Sequence, residues 1–519
     1  MESYSPIRTP SSPARLCVSV TGTTLAELLQ RSASLAQEFP FQELRLDYLD
    51  APRSFGPSLR DHLTEHPDLT LLATCRRLAA GGRFRGDPEA ELTILLEAAA
   101  TGCRIVDLSI ESAEALPPNA IPRLRQQGAR VLLSWHNFQA TGDLRAVYAR
   151  MQPFAPDIYK IVPTARTLVA TLPLFELLRA HGPSGPAEMV GISMGEAGSI
   201  TRVLGVRAGS AFTFAAADPS GSTAPGQIDA HTLRDRYRLD SLDANIRLYG
   251  VAGSPVSSSM SPAMLNAAFA HASYNAVYVP LLTEDATELF RVAEALPLAG
   301  FSVTMPLKQA VLPYLNVVDP LARRIGAVNT VRREPDGSFS GFNTDVAGIV
   351  QPLEARLELR GARVLVLGAG GAARAAVFGC ADRGADVFLL NRNYERAASL
   401  AVEAGAKALR REDLPDLPAF DAIVNATPAG MRGNTTSMPL EPEELRAKLV
   451  FDMVYNPQDP PLLQAARERG LQIIPGVEMF VRQGAKQYEF WTGTTAPVEE
   501  MRRIVLDTLA LQTGRAAGR

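Results

Sequence analysis

Four cysteines in 519 residues, Cys17, Cys75, Cys103 and Cys380, are too few and too scattered for a disulfide framework. No CxxC or metal-type spacing joins them. They read as reduced core thiols of a cytoplasmic protein, three of them inside apolar strand-like runs. No apolar run reaches the ~18 residues of a membrane span, so no membrane partner is expected. Charge of one sign is also missing. Lys and Arg number 52 against 55 Asp and Glu, a net of -3, which lacks the basic face of a nucleic-acid binder. Met1 to Arg15, rich in Ser, Pro and Arg, lacks the apolar stretch of a signal peptide. Glu2 speaks against a transit peptide, so residues 1–15 are expected to be a flexible tail. There are no repeats, no low-complexity segments and no cluster of metal-ligand types, so no metal is expected.

What is present is a chain of several cores, 46% hydrophobic and 21% charged. Its length favours two to four domains. From residue 16 to 217, eight short apolar runs alternate with helical stretches. They are LCVSV (16–20), ELRLDYL (43–49), TLLATC (70–75), RIVDLSI (104–110), RVLLSW (130–135), DIYKIV (157–162), EMVGIS (188–193) and AFTFAA (211–216). Buried parallel strands look like this. Eight such units predict an α/β fold, a (β/α)8 barrel over 16–243, with an open doubly wound sheet as the alternative. The polar segment 229–245 closes this half.

Barrel chemistry comes from the C-terminal ends of strands. Arg76 ends the third run, His136 ends the fifth, Lys160 lies in the sixth, and Arg202 opens the helix after the seventh. Glu43 and Arg45, two apart, share one strand face. A lysine inside an apolar strand is costly unless used. Desolvation and neighbouring cations, for which Arg76 and Arg202 are candidates, would free its amine to form a Schiff base. The two arginine forks could also bind a carboxylate. A nearby histidine could then take a proton from the carbon beside the imine.

The motifs ELRLD (43–47), TCR (74–76), SWHNF (134–138), DIYKIV, SMGEAGSITRVLG (193–205) and TAPGQI (223–228) resemble the type I 3-dehydroquinate dehydratases, in that family's order. The resemblance implies Lys160 as the Schiff-base lysine and His136 as general acid/base. Glu43, Arg45, Arg76, Arg202, Thr223 and Gln227 would hold the substrate. The chain departs from the family at Ala80, where Glu-Gly-Gly is usual, and at Ser109, where many relatives have an acid. Thr223 replaces a frequent serine. The Ala80 departure bears on proton handling at His136.

The second half alternates α/β again, with expected domains at 246–345 and 346–490 and a helix in 491–519 packing back on the first of these. RVLVLGAGGAARA follows a strand and opens a helix, and Gly368, Gly370 and Ala373 fit GxGxxG/A. Such a turn lets the backbone approach a pyrophosphate. About 20 residues on, Asn391-Arg392-Asn393 and Arg396 stand where an NAD enzyme would place an acid. A cation there favours a 2′-phosphate, hence NADP. SPVSSSMSP (254–262) is a hydroxyl-rich loop before a helix. GFSVTMPLK (300–308) places Lys308 after a strand, and GFNTD (341–345) places Asp345 at a turn. Together these two charges could polarise a carbonyl and relay a proton.

These segments, with GAVNTV (326–331), NATPAGM (425–431), DMVYNP (452–457) and GVEMFVRQGAKQYEFW (476–491), resemble shikimate dehydrogenase. The resemblance implies Lys308 and Asp345 as the catalytic pair. Ser259, Ser261, Thr304, Asn329, Tyr455 and Gln483 would bind substrate. Gly368, Gly370, Gly371, Asn391, Arg392, Asn393, Arg396, Thr427 and Met479 would hold NADP. Departures fall at Ser258, Met260, Ser302 and Asn393. The order of the halves resembles a fused enzyme for consecutive steps, 3-dehydroquinate to 3-dehydroshikimate to shikimate. Three alternatives stay open: an efficient dehydrogenase half only, quinate as its substrate, or a non-catalytic regulator on the same folds.

Overall fold

The computed structural model describes residues 15–517, apart from 53, 183–184, 186, 219–220, 258 and 435–437, with side chains to 511. The expected tail, except Arg15, and the departure at Ser258 lie outside the described residues. The Arg15 guanidinium donates to Leu242 O (2.6 Å). Leu281–Thr283 apart, the chain divides into two compact units between Ile246 and Arg247.

The first unit is built on eight parallel strands: β1 Leu16–Val20, β2 Phe41–Arg45, β3 Thr70–Thr74, β4 Ile105–Ser109, β5 Arg130–His136, β6 Ile158–Val162, β7 Glu188–Gly191 and β8 Thr213–Ala216. Their order is β7-β6-β5-β4-β3-β2-β1-β8. Ala211 N–H, just ahead of β8, donates to Met189 O of β7 (2.8 Å), so the barrel is nearly closed. Each of the eight apolar runs contributes one strand. The second is shorter than its run, because Leu46–Tyr48 turn as a 3-10 helix under the bidentate Arg45–Asp47 pair.

Period-two alternation then stacks the interior. Cys17, Phe41, Leu72, Ile105, Leu132, Ile158 and Val190 share one apolar core at the base. Two residues further along each of six strands come Ser19, Glu43, Thr74, Asp107, Ser134 and Lys160, all buried. Another two bring Arg45, Arg76, Ser109 and His136 to the C-terminal rim. A dry floor therefore carries two layers of polar and charged side chains.

The second unit holds two six-stranded sheets. The first contains β9 Arg247–Gly253, β10 Ala276–Leu282, β11 Gly300–Val303, β12 Val317–Val318, β13 Thr330–Arg333 and β14 Phe339–Phe342, in the order β10-β9-β11-β13-β14-β12. It is mixed, with β13 antiparallel to both neighbours. The second contains β15 Arg363–Leu367, β16 Asp386–Leu390, β17 Lys407–Leu409, β18 Phe420–Asn425, β19 Ala447–Asp452 and β20 Gln472–Ile474. All its pairs are parallel, in the order β17-β16-β15-β18-β19-β20. That order reverses direction between β15 and β18, which opens a crevice at their C-terminal ends. Helix Gly476–Thr492 ties back to the first sheet. Gln487 donates to Asn329 O and Thr330 Oγ1, and Trp491 Nε1 donates to Val331 O. Helix Val498–Ala517 packs on helix Ser261–His271.

The four thiols are free and buried. Only Cys17 lies within a strand. Cys75 follows β3, Cys103 precedes β4 and Cys380 is in helix Gly371–Ala381. The apolar character of their surroundings, not strand membership, was the legible part.

Candidate active sites

In the first unit Glu43, Arg45, Arg76, His136, Lys160, Arg202, Thr223 and Gln227 line one cavity with Ser19 and Phe214. Lys160 is 4% exposed. Its Nζ donates to Asp107 Oδ2 (2.9 Å), lies 3.9 Å from Glu43 Oε1 and sits 3.8 Å above the Phe214 ring. Its nearest charged groups are therefore carboxylates. The sequence suggested flanking arginines, but Arg76 instead spends its charge on Asp107, donating to the same Oδ2 at 2.6 Å. Two cations share one oxygen, which weakens the hold of Asp107 on Lys160. Burial works to raise Asp107, but Arg76, Lys160 and His136 outweigh it and hold that carboxyl far below its usual range. The same balance, with Lys160, Arg45 and Arg76 against burial, holds Glu43 low.

The His136 imidazole has no hydrogen-bond partner among the described residues. Burial, helped by Arg76 and Lys160, pushes its imidazole well below the ordinary value, so it is neutral at pH 7 and able to accept a proton. Phe138 stacks near it, with ring centroids 6.1 Å apart. Gln227 is held by Thr223, whose N–H and hydroxyl both donate to Oε1 (2.7 and 3.1 Å).

Arg202 stands apart. It is 2% exposed, and among the described residues its side chain hydrogen-bonds only the carbonyls of Phe214 (3.3 Å) and Pro225 (3.5 Å), leaving Nε without a partner. Burial pushes its guanidinium down to about 10, still charged at neutral pH. Burying an ion costs several kcal/mol unless it is paired. Arg45, Arg76, Lys160 and Arg202 face three carboxylates, Glu43, Asp47 and Asp107. The site thus carries one surplus positive charge, located at Arg202.

In the second unit Lys308 Nζ donates to Asp345 Oδ2 at 2.5 Å, and Asn329 Nδ2 donates to Asp345 Oδ1 at 2.7 Å. Asp345 does not sit at a turn, as the sequence suggested. It opens helix Asp345–Glu354, where the N-terminal dipole favours its negative charge. The local signal was misread because Asn343, whose Oδ1 accepts Asp345 N–H (3.1 Å), makes the turn immediately before it. Gly348 of this helix lets helix Gly476–Thr492 approach. A Cβ there would lie 2.8 Å from Met479 O and 3.0 Å from Gln483 Cβ. Asn329 is buried among Thr330, Thr344 and Gln487.

The expected acid-binding loop precedes helix Ser261–His271, with Ser261 N–H donating to Ser259 Oγ (3.2 Å). Thr304 packs against Gly253 at the start of that loop. The Tyr455 ring lies tilted against that of Phe480 (4.7 Å), and no hydrogen bond joins it to Lys308 or Asp345 among the described residues.

The glycine turn sits between β15 and helix Gly371–Ala381. Gly368 has φ +111°, a region L side chains avoid, and Thr427 lies against it. A Cβ on Gly370 would meet nothing within 4 Å, which leaves room for a pyrophosphate. A Cβ on Gly371 would lie 3.6 Å from Lys308 Cδ, so this turn adjoins the Lys308–Asp345 pair. Beyond β16, Arg392 and Arg396 are exposed and have no carboxylate partner among the described residues. These features fit a 2′-phosphorylated dinucleotide. Asn391 Nδ2 donates to Asn393 O (2.9 Å), and Asn393 Oδ1 caps helix Tyr394–Ala404 by accepting Arg396 N–H (3.1 Å). Only the amide nitrogen of Asn393 is left for a phosphate.

Comparison with known proteins agrees with this division. The family model for type I 3-dehydroquinase matches residues 16–244. That for the shikimate dehydrogenase substrate binding domain matches 251–331, that for shikimate/quinate 5-dehydrogenase 352–455, and that for the shikimate 5′-dehydrogenase C-terminal domain 476–506. A bifunctional 3-dehydroquinate dehydratase/shikimate dehydrogenase, chloroplastic, of Arabidopsis thaliana is 35% identical over 513 residues, 94% of this chain and 83% of that protein. The chain belongs to the bifunctional 3-dehydroquinate dehydratase/shikimate dehydrogenase family. It joins a type I dehydroquinase, a lyase, to an NADP-dependent shikimate dehydrogenase, an oxidoreductase, of the shikimate pathway. A shikimate dehydrogenase (NADP(+)) of Methanosarcina acetivorans is 41% identical over 280 residues, covering 51% of this chain and 99% of its own. A crystal structure of a shikimate dehydrogenase in complex with NADP+ is 34% identical, with a TM-score of 0.49, over 52% of this chain and 97% of its own.

Sequence reasoning on this fused lyase and dehydrogenase passed over several residues that complete its sites. Asp107 holds both Arg76 and Lys160, and an acid inside an apolar strand was as visible a signal as Lys160 itself. Asp452 and Asn425 are both fully buried and joined at 2.9 Å, and Asn425 Oδ1 receives the Thr427 N–H and hydroxyl. Ser302, noted only as a departure, joins Tyr278 (2.6 Å) to Gln487 (2.7 Å) beneath Asn329.

Proposed function

We propose that the first site dehydrates 3-dehydroquinate to 3-dehydroshikimate and that the second reduces this product to shikimate. Lys160 first passes its ammonium proton to the neutral His136, then attacks the substrate carbonyl through Nζ, and His136 returns the proton as the carbonyl oxygen leaves as water, giving a protonated imine. His136, neutral at pH 7, takes a proton from the carbon beside the imine and hands it to the departing hydroxyl, which leaves as water. Hydrolysis of the imine then frees Lys160. Arg202 binds the substrate carboxylate, while Glu43, Arg45, Arg76, Thr223 and Gln227 hold the ring. The observation that carries this reading is the lone surplus charge at Arg202, which a monoanionic substrate cancels.

In the second site Lys308 Nζ gives a proton to the carbonyl oxygen as it becomes a hydroxyl, and Asp345 orients Lys308. NADPH supplies the hydride when bound. Gly368, Gly370, Gly371 and Thr427 would hold its pyrophosphate side, Arg392 and Arg396, with Asn391 and Asn393, its 2′-phosphate, and Met479 would flank the nicotinamide. Ser259, Ser261, Thr304, Asn329, Tyr455 and Gln483 would bind the acid. The substrates are small molecules, and four buried free thiols suit the cytoplasm. Among the described residues no helix is long and apolar enough to cross a membrane.

The test is NADPH oxidation by the whole chain given 3-dehydroquinate. Steady oxidation that passes through dehydroshikimate is expected. Direct reduction of dehydroquinate, with dehydroshikimate inert, would replace shikimate by quinate as product. Oxidation with dehydroshikimate alone would leave only the second half competent. A second expected result concerns the cofactor. Arg392→Ala should raise the Kd for NADPH about tenfold, the worth of one charge-assisted phosphate contact. The Kd for NADH should stay within about twofold. Equal weakening of both would remove Arg392 from the phosphate site.

A further inference from the structure

Behind the dehydratase cavity lies a buried carboxylate that the reaction above does not use. Glu91 opens the second turn of helix Pro88–Thr101 and is 0% exposed. Its Oε2 accepts from Arg77 Nε (3.1 Å) and from Ser112 Oγ, and its Oε1 has no partner. Ser109 at the end of β4 bonds Ser112 (2.9 Å). A carboxylate this dry with one bare oxygen is a poor structural choice, because a neutral side chain of the same shape would avoid the desolvation cost.

What it holds explains its place. Arg77 is the post of a short loop. Its carbonyl accepts the N–H of Ala80 (3.0 Å) and of Gly82 (2.9 Å). Leu78 N–H donates to Phe84 O, and Phe84 N–H to Arg76 O, which close the loop at its base. At its tip, Gly81 lines the cavity with φ +78°, and a Cβ there would fall 2.1 Å from Phe138. Phe138 in turn stacks beside His136. Among the described residues no carboxylate hydrogen-bonds the His136 ring, so its position depends on this packing.

We propose that Glu91 is a positioning residue of the dehydratase, anchoring Arg77 and so holding the 77–84 loop against Phe138 and His136. The proposal rests on the roles given above to Lys160 and His136. The charged groups facing Glu91 are Arg77 and Arg76, from the end of β3, and Asp107, from β4. Burial pushes its carboxyl up to about 7 against the pull of Ser112 and Arg77, and Asp107 adds to the rise. The anchor is therefore charged above about pH 7 and lost as the pH falls through that value.

The experiment is a double-mutant cycle in the full chain with Glu91→Gln and Arg77→Gln, reading dehydration against pH. Each single variant should lose about tenfold in kcat/KM, and the pair no more than the worse single, as for two residues acting through one contact. The wild type should show an inflection near pH 7 that Glu91→Gln lacks. Arg77→Lys, which keeps the charge, should recover most of the loss. Dehydrogenase activity of the same samples checks folding, and if Glu91→Gln loses it, the Arg77→Lys and Arg77→Gln pair decides alone. Additive losses, an unchanged pH profile or silent singles would overturn the proposal. Borohydride trapping separates the two readings. A wild type that leaves no dehydroquinate adduct on Lys160 fails the Schiff-base reading, whereas normal trapping with an additive cycle fails only the role of Glu91.

Discussion

Lys160→Ala should reduce dehydration of 3-dehydroquinate by at least roughly 10⁴-fold, since it removes the covalent route and leaves only acid–base assistance of about 10²–10⁴ over water. Borohydride with dehydroquinate should label the wild type on Lys160 and leave the variant unlabelled. The geometry gives the reason for so large an effect. Among the described residues Lys160 is the only amine lining the cavity, reaching past Phe214 to the oxygen of Asp107 that Arg76 also binds. Its loss leaves Glu43 and Asp107 facing one cation fewer in a dry site, so some stability should fall as well. Reduction of dehydroshikimate by NADPH, measured on the same sample, should be unchanged. An adduct that persists at another residue would move the nucleophile elsewhere.

The second large effect belongs to the pair in the other unit. Lys308→Ala should lower dehydroshikimate reduction by about 10²–10⁴-fold, the range for removing a positioned proton donor. Asp345→Asn should fall within the same range, because an amide in place of the carboxylate would turn a donor toward Lys308 Nζ and break the 2.5 Å contact. NADPH binding, followed by fluorescence, should change by less than about threefold in both, since neither group is placed on the phosphates. Loss confined to the KM for dehydroshikimate, with kcat intact, would reassign Lys308 to binding. Dehydration by the first unit serves as the internal control, and Lys160→Ala mixed with Lys308→Ala should restore overall flux from dehydroquinate to shikimate.

Much of this architecture was readable from alternation alone. The eight short apolar runs became the eight barrel strands because strands buried on both faces need little but apolar residues. The exceptions inside those runs, Lys160, Glu43 and Arg45, marked the polar layers, since a charge there needs a partner. The glycine turn before helix Gly371–Ala381 was equally plain, because few sequences need φ +111° followed by an open Gly370. What stayed hidden was pairing. Nothing local says that Arg76 turns to Asp107 rather than to Lys160. The approach of Gly371 to Lys308, the crossing at Gly348 and the Ser302–Gln487 bond join segments far apart in sequence, the last of them 185 residues apart. Asp345 reads as a turn residue because the Asn343 side chain makes a turn, and the helix begins two residues after it.

The buried thiols carry a practical consequence. Burial pushes Cys103 and Cys380 up to about 12, and Cys17 and Cys75 rise too. None presents a thiolate to a reagent while its surroundings stay closed. Three of them lie in the first unit and Cys380 in the second. Alkylation of the native chain is therefore a clock with two hands. Capture at Cys17, Cys75 and Cys103 times the opening of the barrel, and capture at Cys380 times that of the dinucleotide sheet, without any label having to be added to the chain.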